Sequence, residues 1–207
     1  MIKNLLFDLG GVIMDIKKDN CVAAFKALGL PDTDSFFGDY GQQGPFMLIK
    51  EGRISTQEFH DMVRGIMPHP VTDAQIDDAF MQFLTGIPEK RLSALLELRK
   101  KYKVYLLSNT NRVMWDAKIA DEFQKQGLAM EDYFDGTVTS FEAKCLKPGA
   151  EIFRYAQRTL GIDPAETLFL DDSLANVEAA RALGFKAEQV ADGAEFIDIV
   201  NTATTKA

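Results

Sequence analysis

The sequence predicts an α/β fold: a doubly wound parallel sheet interrupted by an all-helical insertion. Three observations point there. Short, nearly continuous apolar runs, each closed by a polar group, alternate with stretches of helical periodicity, the pattern of buried strand and crossover helix. The first two such runs lie much further apart than the roughly 30 residues that a plain βαβ unit needs. The chain of 207 residues, 46% hydrophobic and 26% charged, is long and apolar enough to bury one core with a modest insertion.

Taken in order, the first strand runs from Ile2 to Phe7 and is closed by Asp8. The insertion follows at residues 18–87. Val22 to Leu28, Ser55 to Ile66 and Asp73 to Leu84 there carry helical patterns, with no convincing strand. Ser55 is placed to cap its helix, and Glu58 closes a capping box. The loops Gly38 to Pro45 and Glu51-Gly52-Arg53 are polar and glycine-bearing enough to face a ligand, with Gln42, Glu51 and Arg53 as candidates. His60 and His69 read as surface or loop residues.

The core resumes at 88, so that it comprises 1–17 and 88–207. Leu92, Leu95, Leu96 and Leu98 mark a helix with a basic end, and Val104 to Leu107 a strand. Trp115 and Phe123 fall at core spacings of the next helix, and Thr137 to Val138 form a third strand. Ile152, Phe153, Ala156 and Leu160 mark a helix ended by Gly161, and Leu168 to Leu170 the fourth strand. A helix from Leu174 to Leu183 stops at Gly184, a fifth strand covers Phe185 to Val190, and the tail Thr202 to Ala207 is expected to fray.

Lys and Arg number 23 against 31 Asp and Glu, and the net charge of −8 leaves no basic stripe for a nucleic-acid backbone. Asp8, Gly10 and Gly11 break the apolar run Leu5 to Ile16, which lacks the basic start of a signal peptide and the length of a membrane span. Cys21 and Cys145 show no metal-ligand spacing and suit a reducing cytoplasm as packed thiols. A soluble, cytoplasmic protein is expected; nothing indicates its oligomeric state.

Ligands of open α/β sheets bind beyond the carboxyl ends of the strands, so the residues closing each strand are the candidates. They are Asp8 with Gly10 and Gly11, then Ser108-Asn109-Thr110, Lys147-Pro148, and Asp171-Asp172-Ser173 with Asn176 one turn later. Asp8 alone could cap a turn, Ser108 and Asn109 could start a helix, and Lys147 could be a solvated lysine. A cap explains one carboxylate of the pair at 171 and 172, not both. Unit charges ~4 Å apart repel by about 4 kcal/mol at an effective dielectric near 20, unless a proton or a cation intervenes. All-oxygen ligation suits Mg²⁺, which usually shares such a site with a substrate phosphate.

In this order the four pieces, Phe-Asp-Leu-Gly-Gly-Val at 7 to 12, Leu-Ser-Asn-Thr at 107 to 110, Lys-Pro at 147 to 148 and Asp-Asp-Ser at 171 to 173, resemble the haloacid dehalogenase superfamily. They look most like its phosphatase branch containing glucose-1-phosphate phosphatases, which implies a Rossmann-like core with the insertion as a helical cap. By that resemblance Asp8 is the nucleophile that forms an aspartyl phosphate. Asp8, the carbonyl of Gly10 and Asp172 hold Mg²⁺, with Asp171 acting directly or through water. Ser108 and Lys147 bind the phosphoryl oxygens, Asn109 helps position the site, and Gly11 fits the tight turn beside the substrate. A small phosphorylated metabolite is the implied partner.

One departure matters. Many phosphatases of the superfamily carry an acid–base aspartate two residues after the nucleophile, where this chain has Gly10. Such help is worth 10²–10⁴-fold, about 3 to 5 kcal/mol. Asp15 or a residue of the insertion could substitute, or the substrate could be activated, as a sugar 1-phosphate is through its anomeric oxygen. Two other readings stay open: carbon–halogen hydrolysis by Asp8, against which the doubled carboxylate speaks, and a phospho-ligand-binding protein of little activity.

Overall fold

The computed structural model describes residues 1–37 and 43–205. Five strands form one parallel sheet in the order β5-β4-β1-β6-β7: β1 (Asn4–Phe7), β4 (Lys103–Ser108), β5 (Gly136–Thr139), β6 (Thr167–Asp171) and β7 (Lys186–Gln189). Between β1 and β4 lies a small antiparallel pair, β2 (Asp15–Ile16) with β3 (Leu84–Gly86). The chain builds β4 and β5 on one side of β1, then crosses to place β6 and β7 on the other. The crossing point, where crossovers diverge to opposite faces, is β1 with its neighbours β4 and β6.

The strands form because their side chains are buried on both faces. Leu5, Phe7, Val104, Leu106, Leu168 and Leu170 point to one face of the sheet. Leu6, Leu107, Val138 and Phe169 point to the other, against Ile152, Phe153 and Val177 of the crossover helices. Each expected strand is present, within two residues of its sequence boundaries.

The insertion contains α1 (Lys18–Ala27), α2 (Thr33–Phe37), α3 (Gly44–Lys50), α4 (Thr56–Ile66) and α5 (Asp73–Met81). Ser55 caps α4 through the expected box: Glu58 N donates to Ser55 Oγ, and Ser55 N to Glu58 Oε2. A cluster of phenylalanines holds the group together. Phe46 stands at its hub, with ring centroids of Phe37 at 4.4 Å, Phe25 at 5.1 Å, Phe80 at 5.4 Å and Phe59 at 5.5 Å.

Three expectations need correction. The stretch Asp73 to Leu84 is not one helix: α5 stops at Met81, and Leu84 enters β3, where Lys17 N donates to the Phe83 carbonyl at 2.8 Å. A ladder this short has no hydrophobic period to read. His60 is buried at 5% exposure, its Nε2 2.7 Å from Asp77 Oδ1, because it lies on the inward face of α4 beside Phe59; His69 is exposed as expected. The tail is helical through Phe196–Thr205, anchored by the buried Phe196 and Val200. The third ligand-facing candidate of the insertion, Gln42, lies outside the described residues. Phe123 is fully buried and Trp115 partly so, both against the larger core cluster.

Among the described residues no helix is long and apolar enough to cross a membrane. Cys21 and Cys145 are free thiols, Cys21 buried.

Candidate active site

Because β4, β1 and β6 are neighbours in register, their carboxyl ends bring Ser108, Asp8 and Asp171 side by side. Asp8 continues the ladder by donating its N–H to the Leu170 carbonyl at 2.8 Å. The chain then turns back at once. Ile13 and Met14 both donate to the Leu9 carbonyl, and Gly11, at φ 77°, donates to Met14. A Cβ at Gly11 would stand 2.4 Å from Asp172 Oδ2, so only glycine lets this turn close against that carboxylate.

Carboxylate oxygens of Asp8, Asp171 and Asp172 all lie within 4.8 Å of one another. Lys147 is set among them: its Nζ is 2.8 Å from Asp8 Oδ1, 2.7 Å from Asp171 Oδ2 and 2.8 Å from the Leu107 carbonyl. These three acceptors use all the donors an ammonium has. Burial alone would push Lys147 down, but Asp8 and Asp171 outweigh it and hold its pKa above the ordinary lysine value. Asp8, 8% exposed, is pushed up to about 7, first by burial and then by the charges of Asp171 and Asp172, with Lys147 opposing. Burial and Asp171 likewise raise Asp172, which stands at the solvent rim. Three carboxylates and one lysine leave an uncompensated negative charge.

The donor set fits a hard divalent cation, and it assigns different roles to the neighbouring acids. Asp171 is saturated, since Oδ2 accepts from Lys147 while Oδ1 accepts from Ser173 N and Asn176 Nδ2, each at 2.9 Å. It acts best as an orienting group. The oxygens of Asp172, and the Asp8 oxygen that Lys147 leaves free, remain for an ion. Ser108, 3% exposed, has a side-chain hydroxyl with no hydrogen bond among the described residues, an orphan that a ligand oxygen would satisfy.

Asn109 ties its own loop to that of Lys147. Its Nδ2 donates to the Lys147 carbonyl and its Oδ1 accepts from Lys147 N, both at 2.9 Å, so the side chain pins the loop that presents the lysine. Gly10 sits against Ile16, and a cavity of about 740 Å³ opens beside Gly11 and Asp172, bounded by Asp15, Arg91 and Gln189. Asp15 lies outside the carboxylate cluster. Arg91, 8% exposed, holds it at 2.7 Å while also reaching the Ile13 carbonyl and Glu195, so Asp15 helps fasten the turn.

The insertion meets this site at the end of α3. Ser140 Oγ lies 2.8 Å from the Lys50 carbonyl and 2.9 Å from that of Thr110, and it accepts from Thr110 N at 3.0 Å. Gly52, at φ 64°, lies so close to Phe141 that a Cβ would fall 1.9 Å from its carbonyl oxygen. Glu51 and Arg53 pair with each other at 3.3 Å. Lys50, which no motif singled out, is the insertion residue that feels the charges of Asp8 and Lys147, the first raising its pKa and the second lowering it beneath a larger downward push from burial. The apolar run Phe46 to Ile49 that ends in it, two residues before Gly52, was the available signal.

The model of the haloacid dehalogenase-like hydrolases matches residues 2–184. The chain belongs to this family. A D-ribitol-5-phosphate phosphatase of Bacteroides thetaiotaomicron is 37% identical over 196 residues, 95% of each chain. A family enzyme of the same organism, solved as a point mutant in complex with magnesium and inorganic phosphate, superposes with a TM-score of 0.92 at 39% identity, covering 97% of this chain and 99% of that one. A predicted HAD-like family hydrolase of Porphyromonas gingivalis superposes at 0.91 with 31% identity, covering 99% and 98%. The expected superfamily and the α/β core are thus borne out.

Proposed function

We propose that the protein is a Mg²⁺-dependent phosphatase that hydrolyses monoesters of small sugars or sugar alcohols through an aspartyl phosphate on Asp8. The observation that carries this reading is the convergence of Asp8, Asp171 and Asp172 within 4.8 Å around Lys147. A relative named for ribitol 5-phosphate and a neighbour solved with magnesium and phosphate support it.

Asp8, Asp172 and the Gly10 carbonyl would hold the ion, with Asp171 behind them; when bound, Mg²⁺ neutralises the carboxylates and draws charge from a phosphoryl oxygen. The chain's own residues do the rest. Asp8 Oδ attacks phosphorus in line, Ser108 Oγ donates to a phosphoryl oxygen, and Lys147 favours the ionised form of Asp8 while countering the charge that builds on the transferring group. Water then hydrolyses the acyl phosphate. Residues 18–87 act as the cap that covers the site and excludes bulk water.

The missing acid at Gly10 favours an activated ester such as a sugar 1-phosphate, whereas the relative's named substrate is an ester of a primary alcohol. Both belong in one panel. We expect phosphate release from glucose 1-phosphate or ribitol 5-phosphate that is lost in EDTA and falls at least ~10³-fold in Asp8→Asn. Turnover that persists in Asp8→Asn, or chloride release from 2-haloacids in EDTA, would sink the reading.

A further inference from the structure

We infer that Lys50 of the insertion stabilises and protonates the departing oxygen of the substrate, taking the place of the acid that Gly10 lacks. This rests on the phosphatase reading above. In-line attack by Asp8 sends the leaving oxygen away from the strand ends, toward the side where the insertion lies. The last residue of α3 is tied there by its backbone. Ser140 holds the Lys50 carbonyl to the loop that follows Ser108, and Gly52 beds the next turn on the Phe141 carbonyl. The Lys50 ammonium, half-buried, makes no hydrogen bond and no ion pair among the described residues. A half-buried cation with no partner among the described residues, beside a site that receives a dianion, is poised for a ligand oxygen.

The ammonium is also suited to give up a proton. Burial pulls its pKa below the ordinary lysine value, with Asp8 opposing and Lys147 adding to the shift. In the first half-reaction Asp8 Oδ forms the new O–P bond. The ester P–O bond breaks with its electron pair on the substrate oxygen, which takes the proton from Lys50 Nζ and leaves as the alcohol. In the second half, water attacks the phosphorus of the acyl phosphate and gives its proton to solvent, the electron pair of the Asp8–P bond returns to the carboxylate, and the Lys50 amine is reprotonated from solvent. Asp15 and Glu51 are engaged with Arg91 and Arg53 respectively, so neither competes for the role.

The test compares two esters on one preparation. Lys50→Met and Lys50→Gln are assayed with ribitol 5-phosphate, whose alkoxide needs help to leave, and with p-nitrophenyl phosphate, whose phenoxide leaves unaided. Each variant is expected to lose ~10²-fold in kcat on ribitol 5-phosphate and under about threefold on p-nitrophenyl phosphate, with Lys50→Arg recovering binding but not the full rate. Any shortage of folded protein cancels from the ratio of the two. An equal loss on both esters, or no loss on either, overturns the role of Lys50 while leaving the phosphatase reading intact. A wild-type protein that hydrolyses no monoester with Mg²⁺ overturns both.

Discussion

The sheet and the insertion meet over one site but are held in different ways. At the strand ends almost every charged group is fastened by other polar groups. Lys147 is shared by Asp8, Asp171 and a carbonyl, and Asp171 by three donors. In the insertion the order comes from phenylalanine rings around Phe46, and it brings to the site Lys50, which has no close partner among the described residues. On the proposed reading the sheet side is preorganised for chemistry, and the insertion side is left to be completed by substrate.

Substitution of Lys147 should break this contrast most severely. Lys147→Met leaves two buried carboxylates without their counter-ion and is expected to cost about 3–5 kcal/mol, as well as activity, by urea unfolding and turnover. Phe46→Ala removes a comparable amount of packing, about 3–5 kcal/mol, but at the other pole. Hydrogen exchange should then rise across α3 to α5 while β1 and β4 stay protected. If exchange rose equally in both regions, they would not be held separately.

A smaller effect comes from the proton on Asp8. Its pKa rises from 3.8 to about 7 on folding without metal. A raised carboxyl pKa means that the folded state binds this proton more tightly than the unfolded chain. The associated stability is present below about pH 4 and lost as pH climbs through about 7, up to on the order of 4 kcal/mol. Asp8→Asn cannot lose it. In EDTA the variant should therefore match wild type near pH 4 and unfold at a higher temperature near pH 8, and Mg²⁺ should raise the wild-type Tm more at pH 8 than at pH 5.5. A pH-independent gap would contradict the burial of an ionised Asp8.

Much of the sheet side was legible in the sequence because strand ends place chemistry at fixed points: an apolar run, then Asp8, Ser108 or Asp171. The residues that act through long-range pairing were not. Asn109 looks like a helix starter until the Lys147 backbone is brought against it, and Lys50 is an ordinary helix-ending lysine until Ser140 and Phe141 dock it. The buried His60 was misread for the same cause, since its partner Asp77 lies on another helix. The β2–β3 pair, two and three residues long, offers too few positions for a period.

The central claim is that Asp8 itself takes up phosphorus. Acid-quenched turnover with Mg²⁺ and substrate, followed by borohydride reduction and peptide mapping, reads that bond directly. Conversion of residue 8 to homoserine, dependent on substrate and absent in EDTA, is the result expected. Steady turnover with residue 8 unmodified, or the label on any other side chain, would contradict it.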